Sequence, residues 1–311
     1  MDSLRLKKML AAAGPYLALA ALLLVCIFTC ESFRDPHNYL IFGRQAAYTG
    51  IIALGMTLVI AAGGIDLSVG SLFALSGVGA FLLMPQLPGG EFMRFAGALV
   101  LALGIGAAGG AFNGALVSIW RIPPFIVTLG TMSIFHSLAL YLADASRVDA
   151  ANGYFRLITA GSTIAVFAGM AVLFTVLLNL TAFGRRVCAV GSSEKVARYA
   201  AVNTGGVKFM TYVLTGLMCG ASAFLWAGRV GGISSASGGS GYELDAIAAV
   251  IVGGTSMSGG RASMLGTVAG VFIMVLISNA LVPWGVSPNL QSMVKGFVII
   301  VAVLFQYKKR S

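Results

Sequence analysis

Ala46-Ala-Tyr-Thr-Gly-Ile-Ile-Ala-Leu-Gly-Met-Thr-Leu-Val-Ile-Ala-Ala-Gly-Gly-Ile-Asp-Leu-Ser-Val-Gly-Ser-Leu-Phe-Ala-Leu-Ser-Gly-Val-Gly-Ala-Phe-Leu-Leu-Met84 contains a single charge, Asp66. About 20 apolar residues cross a hydrocarbon layer of about 30 Å as one helix. The stretch therefore reads as two crossings, 46–62 and 66–84, joined at Gly63-Gly64-Ile65-Asp66. Similar runs recur along all 311 residues, of which 58% are hydrophobic and only 10% charged. Soluble domains carry about a quarter charged residues, so an ordinary water-soluble fold is excluded. So is disorder, which needs low hydrophobicity. Four cysteines in this length are too few for a disulfide scaffold. They read as small membrane residues, with no disulfide.

Ten candidate spans follow: 13–30, 46–62, 66–84, 95–119, 123–142, 163–182, 209–227, 244–258, 262–281 and 292–307. The fold class is an all-α polytopic membrane protein of about ten transmembrane helices. The 244–258 run is short for a span, and the opening also has the look of a signal peptide. An uncleaved first span is expected, because it leaves an even count with both ends on one side. Tracing the alternation puts thirteen basic residues on the side of the termini and six on the other, with Lys295 at the start of the last span. Positive charge accumulates on the cytoplasmic side, so the N- and C-termini are expected to be cytoplasmic. The net charge of +10 is thereby a matter of topology. Basic residues do not cluster with interleaved aromatics, so nucleic acid is not the partner.

Two loops stand out, 183–208 on the cytoplasmic side and 143–162 outside. The first holds Arg185, Arg186, Lys195, Arg198 and Lys208 against one acid, Glu194. Gly106, Gly110 and Gly114 recur at four-residue spacing, as do Gly216 and Gly220, and Gly266 and Gly270. Small residues at that spacing let helices approach closely in lipid. Asn113 lies in the first stripe, as an interhelical hydrogen bond or a pathway group. Residues 228–241 hold ten Gly or Ser among fourteen, which a helix tolerates poorly. They form either an outer loop or a broken segment entering the membrane. Glu243 and Asp245 follow, favoured at a helix start by the dipole or marking the rim of a pathway. Asp66 both caps the helix after it and is a candidate pathway residue, since an ionisable group at a helix break in lipid is expensive. The Gly63-Gly64 and Gly253-Gly254 junctions echo one another, by duplication or by chance in a chain with 41 glycines.

Several chemistries are absent from the sequence. There is no phosphate-binding G-x-x-x-x-G-K-[ST] loop and no Cys/His spacing for zinc. Gly239-Ser240-Gly241 does not make an intramembrane protease, because His37 and His136 both precede it in an unsuitable setting. An ion-coupled secondary carrier is the rival class. Asp66, His136 and Lys295 are the only candidates for its midplane groups.

Gly55-Met-Thr-Leu-Val-Ile-Ala-Ala-Gly-Gly-Ile-Asp-Leu-Ser-Val-Gly-Ser71, Asn113-Gly with Ile122-Pro-Pro-Phe-Ile-Val-Thr-Leu-Gly-Thr-Met132, and Glu243-Leu-Asp-Ala-Ile-Ala-Ala-Val-Ile-Val-Gly-Gly-Thr255 occur in that order, followed by Ser258-Gly-Gly260 and Gly266-Thr-Val-Ala-Gly270. With these motifs the chain, from about 45 to 307, is similar to the permease subunits of bacterial ribose-type (monosaccharide) ABC importers. The resemblance implies one transmembrane permease domain over 1–311 and transport by alternating access across the inner membrane. It implies a second permease (the same chain or a different one), a separate ATPase and a periplasmic sugar-binding protein. It implies no catalysis and no cofactor on this chain, ATP being bound by the partner. Loop 183–208 resembles the family's ATPase-coupling segment, with Arg185, Arg186, Gly191, Ser193, Glu194, Lys195, Arg198 and Tyr199 as contact candidates. A short helix over Glu194–Ala201 is expected there, capped by Ser192 or Ser193 and ended by Gly205-Gly206. The chain departs from the family pattern at Ser192-Ser193, at Tyr199-Ala-Ala-Val202 and at His136-Ser137. Nucleosides and other small solutes are alternative substrates.

Overall fold

A computed structural model describes the backbone of residues 3–308, with side chains for 13–287 and 290–304. The chain-terminal part of the charge tally (Arg5, Lys7, Lys8, Lys308, Lys309 and Arg310) lies outside the described side chains. The helices are α1 (Ser3–Thr29), α2 (Pro36–Ala61), α3 (Val69–Leu83), α4 (Glu91–Ser118), α5 (Pro124–Leu142), α6 (Ala160–Leu180), α7 (Ala182–Ser192), α8 (Glu194–Tyr199), α9 (Thr204–Val230), α10 (Tyr242–Val252), α11 (Met264–Leu281) and α12 (Pro288–Lys308). Strands β1 (Arg147–Asp149) and β2 (Gly232–Ser234) pair antiparallel, Val148 opposite Ile233.

Each of the ten expected stretches falls on a helix. Seven of the described helices, α2, α3 with the turn after it, α4, α5, α6, α9 and α11, are long and apolar enough to cross a membrane. The described parts of α1 and α12 add shorter apolar stretches, Ala13–Thr29 and Leu290–Leu304. The expectation for 244–258 needs correction. α10 has eleven residues and extends about 16 Å, roughly half a hydrocarbon layer.

Local chemistry sets the helix starts. Asp35 accepts from the His37 N–H ahead of α2, and Pro36 occupies its first position. Thr159 and Ser162 form a reciprocal capping box on α6. Asn203 caps α9, and Ser263 caps α11.

The bundle is organised around α2, whose residues 46–61 are buried throughout. α6, α9, α10 and α11 surround it, while α3 lies between α4, α5 and α9. Side-chain hydrogen bonds fasten α2 to its neighbours: Thr57 to Thr267 (2.8 Å), Ser222 to the Tyr48 carbonyl (2.8 Å) and Asn279 to Gln45 (2.7 Å). Such bonds and close backbone packing replace the hydrophobic force that lipid removes. The most extensive helix packing is between α4 and α9. There Gly106 and Gly110 oppose Gly216 and Tyr212, and Gly220 opposes Ala102. Gly266 and Gly270 likewise lie on Gly253 and Ala249. All three glycine stripes are therefore packing surfaces.

The two ends of the bundle differ. At one end, Gly191 at the close of α7 meets Ala61 and Gly260, and the Gly260 N–H donates to the Ala61 carbonyl (2.9 Å). Gly63, from the first Gly-Gly junction, and Gly259-Gly260, beyond the second, thus meet at the α7–α8 end. At the other end residues 152–158 cover the start of α4, with Asn152 donating to the Glu91 carbonyl (2.8 Å), and the β1–β2 ribbon packs on α3 and α9.

Residues 232–241 take the broken, entering path. Ile233 packs on Gly77 of α3, whereas Gly239 lies on Gly70, two turns nearer the start of that helix. The segment therefore descends along α3 from the ribbon, and α10 completes the passage to the α7–α8 end. Non-helical backbone at such depth persists only where protein covers it, and α3 with α9 provides that cover.

Candidate functional site

The α2–α3 break carries the first predicted residue. Asp66 is 1% exposed, and its Oδ1 accepts from the Ser68 backbone N–H (2.9 Å) and hydroxyl (2.6 Å). Asn113, arriving from α4, donates to the Ser68 hydroxyl (2.8 Å). Tyr212 of α9 donates to the Ile65 carbonyl (3.1 Å). The turn is thus tied to α4 and α9 by polar side chains in an apolar setting. Asp66 and Asn113 belong to one cluster, sealed from solvent. Tyr212, which completes it, lies in a strongly apolar stretch, and only a tyrosine in lipid needing a partner for its hydroxyl could have flagged it.

Glu243 and Asp245 stand in the first turn of α10 but face different surroundings. The Glu243 carboxylate lies over Gly70 in the first turn of α3, where a larger residue at 70 would collide with it. Asp245 Oδ2 accepts from Lys295 Nζ of α12 (2.8 Å). That pair lines a polar cavity of about 590 Å³ between α2, α9, α10, α11 and α12, together with Arg44, Tyr48, Trp226, Arg229 and Tyr242. Asp66, Asn113 and Glu243 do not line it. The sequence suggested Lys295 as a midplane group but not its partner. Of the cavity's arginines, Arg229 sits in the last turn of α9 and Arg44 inside α2, just ahead of the expected span 46–62; in the sequence both read as topology markers.

Loop 183–208 is more helical than expected. α7 is amphipathic, with Gly184, Val187 and Val190 buried and Arg185 and Arg186 exposed; that three-residue apolar spacing was its signal. Ser193 caps α8 through the Val196 N–H (3.3 Å), whereas Ser192 closes α7. α8 ends at Tyr199, with Ala201 in the left-handed region (φ 58°). Contrary to the expectation, Gly205-Gly206 do not end it; they lie in the first turn of α9, where Asn203 accepts from the Gly206 N–H. Glu194 binds Arg198 (2.9 Å), Lys208 and Thr204 (3.3 Å), joining α8 to α9. The hydrogen bond from Lys208 holds its carboxyl below the usual carboxylate range against partial burial, with further help from the Lys208 charge, Arg198 and Thr204. Val196 and Tyr199 project outward, 64% and 79% exposed.

His136 lies on the exposed face of α5, with Gly130, Ser133 and Ser137. Among the described residues no group of three or more His, Cys, Asp or Glu could hold a metal ion, and all four cysteines are free.

Comparison with known proteins supplies the context. Residues 38–303 match the family model described as branched-chain amino acid transport system, permease component. A ribose import permease of Bacillus subtilis is 40% identical over 306 residues, 95% of this chain and 92% of that protein. A galactose/methyl galactoside import permease of Escherichia coli K12 is 35% identical over 93% of this chain and 92% of its own length. The ribose import permease of the same strain is 33% identical over 94% and 93%. A solved structure described as an inward-facing metal-chelate type ABC transporter shares the fold, with a TM-score of 0.54 over 94% of this chain and 98% of that one, at 12% identity.

Proposed function

The chain belongs to the permease-component family of branched-chain amino acid transport systems, and from that premise we infer that it is the membrane subunit of an ATP-driven sugar importer. The observation that carries this reading is the 40% identity to a ribose import permease across 95% of the chain. The galactoside importer relative supports the same substrate class, a neutral monosaccharide. An uncharged polyol asks for neutral polar groups along its route, not for a coupling ion.

Energy comes from outside the chain. A separate ATPase grips α7 and α8 on the cytoplasmic face, and a periplasmic binding protein delivers sugar to the β-ribbon end. The exposed Val196 and Tyr199 beside Arg198 and Lys195 suit such a grip. The pore forms between two permeases. The exposed, largely unpartnered face of α5, apolar but interrupted by Gly130, Ser133, His136 and Ser137, supports a second permease packed opposite it. Both termini are then cytoplasmic, in a bacterial inner membrane. Asp66, Asn113 and Glu243 brace the pathway wall, and Asp245 stands nearest the outer mouth. Closure of the ATPase rocks the helices between inward- and outward-open states.

Reconstitution tests this. Proteoliposomes holding the permease, its ATPase and the binding protein should accumulate labelled ribose or galactose only with ATP. Accumulation by this chain alone, driven by a proton or sodium gradient, would overturn the reading.

A further inference from the structure

Asp66 and Asn113 leave two oxygens without a donor. Asp66 Oδ1 is served twice by Ser68, and the Asn113 amide N–H₂ donates to the Ser68 hydroxyl. Asp66 Oδ2 and Asn113 Oδ1 are both fully buried and receive no hydrogen bond. The two side chains meet at one hydroxyl, that of Ser68, which donates to Asp66 Oδ1 (2.6 Å) and accepts from the Asn113 amide (2.8 Å). Two buried acceptors on side chains that share one serine, each unsatisfied, are rare in folded proteins and call for an explanation.

No Lys or Arg among the described residues pairs with Asp66. From α9 the groups that face it are Tyr212 and Cys219, neither of which can supply positive charge. The Tyr212 hydroxyl is already committed to the Ile65 carbonyl. An ionised carboxylate in this place would be desolvated with no cation opposite, a state that buried acids avoid by taking up a proton. A single hydrogen atom answers both orphan oxygens.

We propose that Asp66 is held as the neutral carboxylic acid, its proton carried on Oδ2 and donated to Asn113 Oδ1. The cluster is then an uncharged lock fastening the α2–α3 break to α4. Gly63, three residues earlier, faces Gly191 at the end of α7. The lock thus lies between the α7–α8 loop and the start of α3, and it keeps them a single unit when the loop is moved. The proton stays on the chain and is no part of any solute coupling. This holds whatever the transported solute, and its test needs no transport.

Infrared spectra of the full chain in lipid nanodiscs at neutral pH read it directly. Labelling with aspartate carrying carbon-13 at the side-chain carboxyl should shift a carbonyl band of a protonated acid, and Asp66→Asn should abolish that band. The Asn amide donates where the acid O–H did, so Asp66→Asn should melt within a few degrees of the natural chain, while Asp66→Ala should lose markedly more. Absence of the band overturns the proposal. So does an Asp66→Asn chain as damaged as Asp66→Ala, or unable to fold. A melting temperature that rises when sodium replaces choline in the natural chain, but not in Asp66→Asn, also overturns it by identifying a bound cation.

Discussion

Lys295 of α12 donates to Asp245 of α10 at 2.8 Å, with only 24% and 17% of the two side chains exposed. The pair joins the eleven-residue half-helix to the last helix, beside the polar cavity. Removing either charge strands the other in a partly dry site. Asp245→Asn or Lys295→Met should each destabilise the chain by about 1–3 kcal/mol, less than a fully buried pair because solvent still reaches both groups. The charge-swapped double variant should recover part of the loss. Thermal melting in detergent of the two single variants and the swap measures this; an additive double variant would show that the two residues do not interact.

Gly216 on α9 faces the Gly106 carbonyl of α4 so closely that a Cβ would occupy the oxygen's place. Gly216→Ala should cost about 1–3 kcal/mol through overpacking, and Gly216→Leu should give little folded protein. Gly130 on α5 has nothing within 4 Å of its Cβ position, so Gly130→Ala should leave the isolated permease as stable as before, or slightly more so. Expression yield and melting temperature compared across the three variants decide the matter.

The lowered Glu194 carboxyl gives loop 183–208 a pH dependence of definite sign. A depressed folded-state value means that the stabilisation is complete above the ordinary carboxylate range. It is lost as pH falls through the lowered value. Hydrogen exchange in residues 194–204 should therefore be slow at neutral pH and accelerate in strongly acidic buffer. Glu194→Gln should show the faster exchange already at neutral pH. The side chain is 40% exposed, so the effect should stay near about 0.5–1 kcal/mol.

Tyr199, at 79% exposure, stands outside the fold it belongs to and should matter to a partner more than to stability. Tyr199→Ala should weaken capture of the ATPase by about tenfold, matching about 1–2 kcal/mol for an aromatic interface residue, and leave the melting temperature unchanged. Titration of the purified ATPase onto nanodisc-embedded permease separates the two readouts.

The helical regions were legible because lipid imposes a coarse rule: a crossing needs a long run of residues without charge. That rule found α2, α4, α5, α6, α9 and α11 without help. It overreached at 244–258, where α10 stops after eleven residues, because an apolar run does not say how far the chain must travel. The glycine stripes on α4 and α9 were readable for a similar reason, since spacing alone puts small residues on one helix face. α7 was missed because Val187 and Val190 are set among Arg185, Arg186 and Cys188, a mixture that reads as loop until Ala61 and Gly260 are found packed against its last residues.

Amino-acid order alone determined that this polypeptide is a helical membrane permease. It also marked Asp66 as an ionisable group expensive in lipid, Asn113 as a polar group within a glycine stripe, and Glu243 and Asp245 as acids at a helix start or pathway rim. Only the three-dimensional arrangement decided what they meet: Ser68 for both Asp66 and Asn113, the Gly70 turn beneath Glu243, Lys295 for Asp245. The reason is that burial and periodicity are properties of a single helix, written along its own residues. A hydrogen bond across forty-five or fifty positions depends on how separate helices cross, and that is settled by the packing of the whole bundle.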